Sequence, residues 1–323
     1  MITTFTCKGR NSSKIWDIRE LAYNVKWETT TNFAAGTLTF NLLEVQEGFV
    51  IRNGDVICLK WDKKKIFYGY VFKYEYSSDE TFSVTAYDAL RYFKNQDSII
   101  MPISTVSQRF ERVAKMAGVK FKTVATSSEK LKAEVCDNKS YFDMLSGAIS
   151  KTKRATSKHF YLYANYNVVE LRKFPYKQLK LVIGDKSLME SFNLSRSIEN
   201  TANVVRIIKD SKKKKGRSSA TAQSSQSSIK KLGRLTYIEK AKDKANQAQI
   251  QARAKQLLKQ KNKEENTLKV TAIGHTDLVA GNACIIKSQS LKEVGLGTKS
   301  LLITKSTHHF NDRDYTVDLE LNV

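Results

Sequence analysis

Cysteine and histidine are the residues from which a nucleophile or a metal site would be built, so their spacing comes first. The four cysteines (Cys7, Cys58, Cys136 and Cys284) contain no CxxC pair, which argues against a zinc site and a disulfide scaffold. Cys136 with His159 is the pairing that a thiol hydrolase would use, yet no nucleophile signature flanks either residue. His308-His309 supplies two imidazoles, but adjacent residues on a strand point to opposite faces and do not readily share one ion. Asp88 is a carboxylate at the end of an apolar alternating run. GxSxG, HExxH, the P-loop and GxGxxG are all missing, and Gly295-Leu296-Gly297 reads as a turn. These readings predict no catalytic residue, no metal ligand and no cofactor.

Charge is the second chemical feature. The formal net charge is +23, which fits a nucleic-acid, anionic-surface or acidic-protein partner, or merely solvated lysine-rich faces. Much of the excess is local: Lys212-Lys213-Lys214-Lys215 with Arg217, then Lys230-Lys231, then the lysines from Lys240 to Lys263. Lysine runs without interleaved aromatics do not resemble a single-strand stacking platform. A solvated or partner-docking loop is the expectation.

The chain that must position these residues has 323 residues, enough for two or three domains, and is 41% hydrophobic, enough for a real core. No run of about 18 apolar residues predicts a membrane span, and Met1 to Thr6 lacks the pattern of a secretory signal. Cys58 and Cys284 lie in apolar strand patterns and are expected as buried thiols, in keeping with synthesis in a reducing compartment.

Residues 1 to about 95 read as all-β. Thr37-Leu38-Thr39-Phe40-Asn41-Leu42 alternates with period two, and Asn53-Gly54-Asp55 turns into Val56 to Trp61. Ile66 to Tyr76 is an aromatic strand with a bulge or bend expected at Gly69, and Thr81 to Tyr87 follows. A small barrel or sandwich is implied. Near residue 100 the texture changes. Thr105 to Gln108 resembles a capping box before a helix that ends at Gly118, and Ser140 caps a second helix. Strands are expected at His159 to Tyr163, Val168 to Lys173 and Leu179 to Ile183. Ala202 to Ile208 is the next strand. Residues 211 to 229 are low-complexity and read as a flexible loop. A surface helix is expected from Glu239 to about Asn262, with Ala241, Ala245, Ala248, Ala252, Leu257 and Leu258 inward. Leu268 to Ile273, Ala283 to Lys287, Leu301 to Thr307 and Tyr315 to Leu321 close the chain as strands.

The two β regions echo each other. Gly54-Asp55-Val56-Ile57-Cys58-Leu59-Lys60 leads through a hairpin, a strand, a turn and an alternating strand. Gly281-Asn282-Ala283-Cys284-Ile285-Ile286-Lys287 leads through the same order.

Together these motifs resemble the XkdQ/YqbQ-like hub proteins of contractile phage and prophage tails, a family related to the central baseplate hub of T-even phages and to the N-terminal part of type VI secretion spikes. The resemblance rests on Ser83 to Phe93, with its Ala-x-Asp at Asp88; on Ser197-Ile198-Glu199-Asn200-Thr201-Ala202-Asn203-Val204-Val205; and on Lys231-Leu232-Gly233-Arg234-Leu235, where Leu232 replaces the usual aromatic. It continues through Ala272 to Asn282, containing Gly274 and Gly281, with Asn282 in place of the usual Asp, and through Thr307-His308-His309 before the last strand. It covers nearly the whole chain in order.

The resemblance implies an α+β, mainly β chain with two related β-barrel tube domains. The first would be 1–98. An α+β outer domain would occupy 99–188. The second barrel would be 189–323, carrying a flexible basic loop 211–231 and a helix 239–262. It implies a non-enzymatic homotrimer whose six barrels match the six-fold tail tube to a three-fold spike. Implied partners are the tail tube protein, the spike or tip protein, baseplate wedge and LysM-type proteins, and the tape measure protein, with DNA only in transit and no membrane anchor. Under it Asp88 is a cap or turn residue at a domain junction and His308 a structural hydrogen-bonding residue. Two other readings stay open at this level: a basic nucleic-acid-binding protein and a tail-associated peptidoglycan hydrolase.

Overall fold

A computed structural model describes residues 1–10, 13–43, 49–210, 218–241, 245–311 and 314–323. It separates into two compact units, one formed by residues 1–193 and 269–323, the other by 194–268.

The larger unit is built on one long strand path. Its order is Ile15–Asp17, Ile2–Lys8, Val56–Trp61, Lys64–Tyr76, Thr81–Tyr87, Thr37–Leu43, Ala22–Thr30, Lys299–Phe310, Tyr315–Asn322. Alternation decides these strands: Leu38, Phe40 and Leu42 are buried while their neighbours are not, and Ile57 and Leu59 repeat the pattern. Each large side chain buried this way contributes roughly 1.5–3 kcal/mol. Among the described residues the path does not close on itself. The chain is mainly β, but this unit is an open sheet rather than an evident pair of barrels.

Gly69 differs from the expectation. It pairs regularly with Ile57, and the register shifts lie on either side of it, at Leu59/Lys60 and at Val71/Lys73. Its hydrogen side chain serves close packing instead, because a Cβ there would run into the Tyr87 carbonyl and the Phe67 ring.

Between the β halves lies an α+β layer. Thr105 caps the helix Val106–Met116 with the reciprocal Gln108 contact of a capping box, and Gly118 follows at φ +66°. Ser140 caps Tyr141–Thr156 by accepting from the Asp143 amide. Phe110, Val113, Leu145 and Ile149 pack with Phe160, Leu162 and Leu171 of the hairpin Phe160–Asn165/Val168–Lys173. A second ribbon pairs Gln96–Met101 with Glu134–Ser140.

The echo between the β halves extends to individual hydrogen bonds. The Gly54 amide donates to the Val71 carbonyl (2.7 Å), and the Val71 amide returns one to Asp55 (2.9 Å). The Gly281 amide donates to the Ile303 carbonyl (2.8 Å), and the Ile303 amide returns one to Asn282 (2.9 Å). Both glycines have positive φ, +91° and +94°. One residue after Val71 and one after Ile303 the register slips, leaving Phe72 and Thr304 as bulges at the same place in two copies of one meander. Leu43 donates to Leu21 (3.0 Å), and Ile273 donates to Leu188 (2.9 Å) in the same way. The match is incomplete at one edge: Ile2–Lys8 runs antiparallel to Val56–Trp61, whereas Gln178–Gly184 runs parallel to Ala283–Lys287.

The smaller unit places Val204–Asp210 between Ser218–Ser224 (antiparallel) and Thr236–Lys240 (parallel). The helix Gln247–Lys261, capped by Asn246 and Gln249, covers one face with Ile250, Ala254 and Leu257 against Val205 and Ile207. Three expectations are corrected here. Residues 218–231 are not a loop, since Ser218–Ser224 forms a strand and Gln226–Leu232 a helix. The long helix begins at Gln247, because Glu239 and Lys240 belong to a strand. Its buried stripe follows Ile250 rather than the alanines 248 and 252, which are exposed.

Candidate functional site

Strand pairing joins the two β halves of the larger unit. Ala22–Thr30 of the first half runs antiparallel to Lys299–Phe310 of the second, with Trp27 opposite His308 and Thr29 opposite Ser306. On the core side the Thr29 and Ser306 hydroxyls meet at 2.8 Å, and the Ala280 amide donates to Thr29 Oγ1 at 2.9 Å. On the opposite face Lys305 pairs with Glu28 at 2.9 Å.

An aromatic cluster fills the joint. Trp27 stacks on His308 at 4.9 Å between centroids, Trp61 lies 4.7 Å from Tyr315, and Phe310 lies 4.8 Å from Tyr315. His308 Nδ1 and the Tyr315 hydroxyl are 2.8 Å apart. Burial pushes the His308 imidazole down to about 3, so it stays neutral and acts as a packing and hydrogen-bonding group. His309 faces the other way and meets Asp318 Oδ2 at 2.8 Å. Tyr315 also lies flat on Gly274, where a Cβ would strike its ring. The sequence reading singled out Gly274 and His308 but not Tyr315, the residue that connects them. Its signal was the hairpin register, which sets Tyr315 opposite Phe310 and diagonal to His308.

The other motif residues hold backbone. Asp88 is buried, accepts from the Gly36 amide (2.8 Å) and the Leu90 amide (2.9 Å), and caps the 3-10 turn Ala89–Lys94. Burial raises its carboxyl to about 7, against the pull of those two donors. Gly281 lies under the Tyr161 ring and accepts from the Tyr176 amide at 2.8 Å. In the smaller unit Asn203 is fully buried, donates to the Gly233 carbonyl (2.7 Å) and accepts from the Leu235 amide (2.9 Å). Thus Asn203 and Gly233, thirty residues apart, form one contact. Lys212, Lys213, Lys214, Lys215 and Arg217 lie outside the described residues.

A second buried polar group escaped the sequence reading. Arg172 donates to Glu170 at 2.7 Å and lies between the rings of Tyr163 and Tyr176, at 4.0 and 3.9 Å. Cys136 is buried and its thiol is raised by that burial, while His159 packs edge-on against Phe174. Cys58, expected buried, is only half-buried, whereas Cys284 is fully buried. Among the described residues no three His, Cys, Asp or Glu side chains gather where a metal would bind, and no helix is long and apolar enough to cross a membrane.

A mainly β sheet with an α+β layer beside it is a fold shared with solved phage tail proteins. The 43 kDa tail protein of prophage MuSo2 from Shewanella oneidensis has it, with a TM-score of 0.72 over 98% of both chains at 12% identity. The family model described as YqbQ-like matches residues 25–322, and the chain belongs to that family. It is 30% identical to the YqbQ protein of Bacillus subtilis (strain 168) over 84% of this chain and 82% of that one. It is 29% identical to the phage-like element PBSX protein XkdQ of the same organism, over 85% and 83%.

Proposed function

We propose that this chain is the baseplate hub of a contractile tail: a structural protein that trimerises into a pseudo-six-fold ring joining the six-fold tail tube to the three-fold spike. The observation that carries the reading is the repeated meander, with its matched glycine turns at Gly54 and Gly281 and its matched bulges at Phe72 and Thr304. A chain that carries one module twice, joined by strand pairing, presents six similar modules when three copies close a ring. In that ring each half rolls into a barrel-like wall of the tube, with domains at 1–98, 99–188 and 189–323.

One face of the ring takes the first ring of tube protein and the other takes the spike or tip protein. The α+β layer and the helix Gln247–Lys261 are the surfaces for wedge and LysM-type proteins, and the basic segment 211–217 docks an acidic neighbour or the tape measure protein. The protein resides in the tail of a virion or of a phage-tail-like particle. DNA meets it only in transit, and its role is mechanical rather than enzymatic. Electron microscopy of the chain mixed with its spike protein tests this. Three-fold rings capped by spike support the hub, and persistent single chains beside free spike refute it.

A further inference from the structure

The strand Lys64–Tyr76 carries an aromatic row at alternate positions, Tyr68, Tyr70 and Phe72, on the side of the α+β layer. Tyr92 of the 3-10 turn meets two of these rings, 5.7 Å from Tyr70 and 6.1 Å from Phe72 between centroids. Tyr68 lies 6.0 Å from Tyr70 and 5.3 Å from Tyr166. Where the row faces the end of the helix Val106–Met116, a cleft of about 250 Å³ opens. Tyr68, Tyr70 and Tyr92 line it together with Gly118 and Asn167. Its charge is one-sided. Arg10 and Lys120 line it, both exposed, and no Asp or Glu does. Neither cation has an ion-pair partner among the described residues, and Arg10 lies over the Tyr70 ring, 5.3 Å from its centroid. Further along the row Arg91 lies over Phe72 at 5.0 Å, and Lys65 over Tyr166 at 5.3 Å.

We propose that this cleft docks an acidic peptide: an extended, carboxylate-bearing segment of a partner protein. Charge complementarity selects the occupant. Arg10, Lys120 and the tyrosine hydroxyls form a set of donors with no acceptor charge among them, which a carboxylate satisfies. A guanidinium held over a ring keeps its N–H donors for such a bond. Burial raises the Tyr68 and Tyr92 phenols, so both keep the proton that a carboxylate would accept. Asn167 adds an amide that both donates and accepts, as a peptide backbone requires. The rings are not arranged as a base-stacking platform. Tyr70 is already flanked edge-on by Tyr68 and Tyr92 and covered by Arg10, and Tyr68 is met by Tyr166. The volume points the same way. Small-molecule pockets hold roughly 300–1,000 Å³, and this smaller cleft suits side chains of a passing segment rather than a whole ligand. The site is separate from the basic segment 211–217. It belongs to the single chain, so it stands whether or not three copies close a ring.

The test uses the full, nuclease-treated chain and fluorescein-labelled hexaglutamate, followed by anisotropy at moderate salt. Labelled hexaglutamine and a labelled oligothymidylate of the same length are the comparison probes. Arg10→Gln with Lys120→Gln removes two charges from the cleft. Lys186→Gln with Lys292→Gln removes two from exposed positions elsewhere, so both double variants lower the net charge equally. Tyr92→Phe removes a hydroxyl and no charge. The parent should bind hexaglutamate about ten-fold or more tighter than either comparison probe. The cleft pair should lose about ten-fold or more of that affinity, and Tyr92→Phe about 2–10-fold. The Lys186 and Lys292 pair should lose less than about two-fold. Equal losses from the two double variants would overturn the site and assign the binding to general surface charge. Preference for oligothymidylate would overturn it in favour of nucleic acid. A parent chain that does not bind hexaglutamate would overturn it outright. Arg10 and Lys120 are exposed, so their substitution leaves the fold intact.

Discussion

Gly54 and Gly281 occupy the same position in two copies of one turn, each sending its amide to a carbonyl one residue before a bulge, Val71 in one half and Ile303 in the other. Their surroundings differ. Nothing lies near a side chain built at Gly54, whereas at Gly281 it would meet the Tyr161 ring.

That difference predicts unequal costs for the same substitution. Gly54→Ala pays only for an L-residue at positive φ, about 1–2 kcal/mol. Gly281→Ala adds overpacking against Tyr161, for a total of about 2–5 kcal/mol. Urea denaturation of the two variants measures it, and equal losses would contradict the packing account.

Asp88 and His308 have opposite linkage to pH. Burial raises Asp88 to about 7, so its contribution to stability is fully present below its unfolded value and is lost as pH rises toward 7. Burial lowers His308 to about 3, so its contribution is present above the unfolded value of about 6.5 and is lost as pH falls toward 3. Between pH 7 and pH 5 each amounts to about 2–3 kcal/mol, in opposite directions. The unsubstituted chain should therefore show a shallow stability profile over that window. Asp88→Asn should lose stability on acidification and His308→Gln should gain it. Profiles of both variants parallel to the parent would contradict these environments.

Asn203 holds Gly233 and Leu235 from a fully buried position. Asn203→Leu leaves the Gly233 carbonyl and the Leu235 amide without these partners and should cost about 2–4 kcal/mol. The loss should appear as faster hydrogen exchange across residues 204–210 and 236–240, with exchange in Thr37–Leu43 unchanged. Uniform acceleration over the whole chain would contradict it.

Much of the fold was legible where local chemistry and final structure agree. Val56–Trp61, Thr81–Tyr87, Val168–Lys173 and Ala283–Lys287 appear with the bounds read from alternation and flanking turn residues. The caps at Thr105 and Ser140 were equally local signals. What stayed hidden depends on partners distant in sequence. Ser218–Ser224 has no apolar period and is a strand only because Val204–Asp210 pairs with it. Ile250 was overlooked beside a more regular alanine pattern, although burial follows the larger side chain. Tyr315 looked like an ordinary strand residue until the hairpin brought it to His308 and Gly274.

The net charge of +23 supports a competing reading that salt can separate. A protein making 6–10 phosphate contacts loses about 10³–10⁵ in DNA affinity between 50 and 200 mM salt. The hub reading predicts weak binding without sequence preference that is gone at moderate salt. Tight binding with that steep slope would favour the nucleic-acid reading.

The most direct test of the hub is the mass of the nuclease-treated chain in solution by light scattering at moderate salt, with and without spike protein. The account predicts a species of three times the 36.7 kDa chain, either alone or once spike is added. A monomer or dimer that ignores the spike and changes mass only with DNA would contradict it.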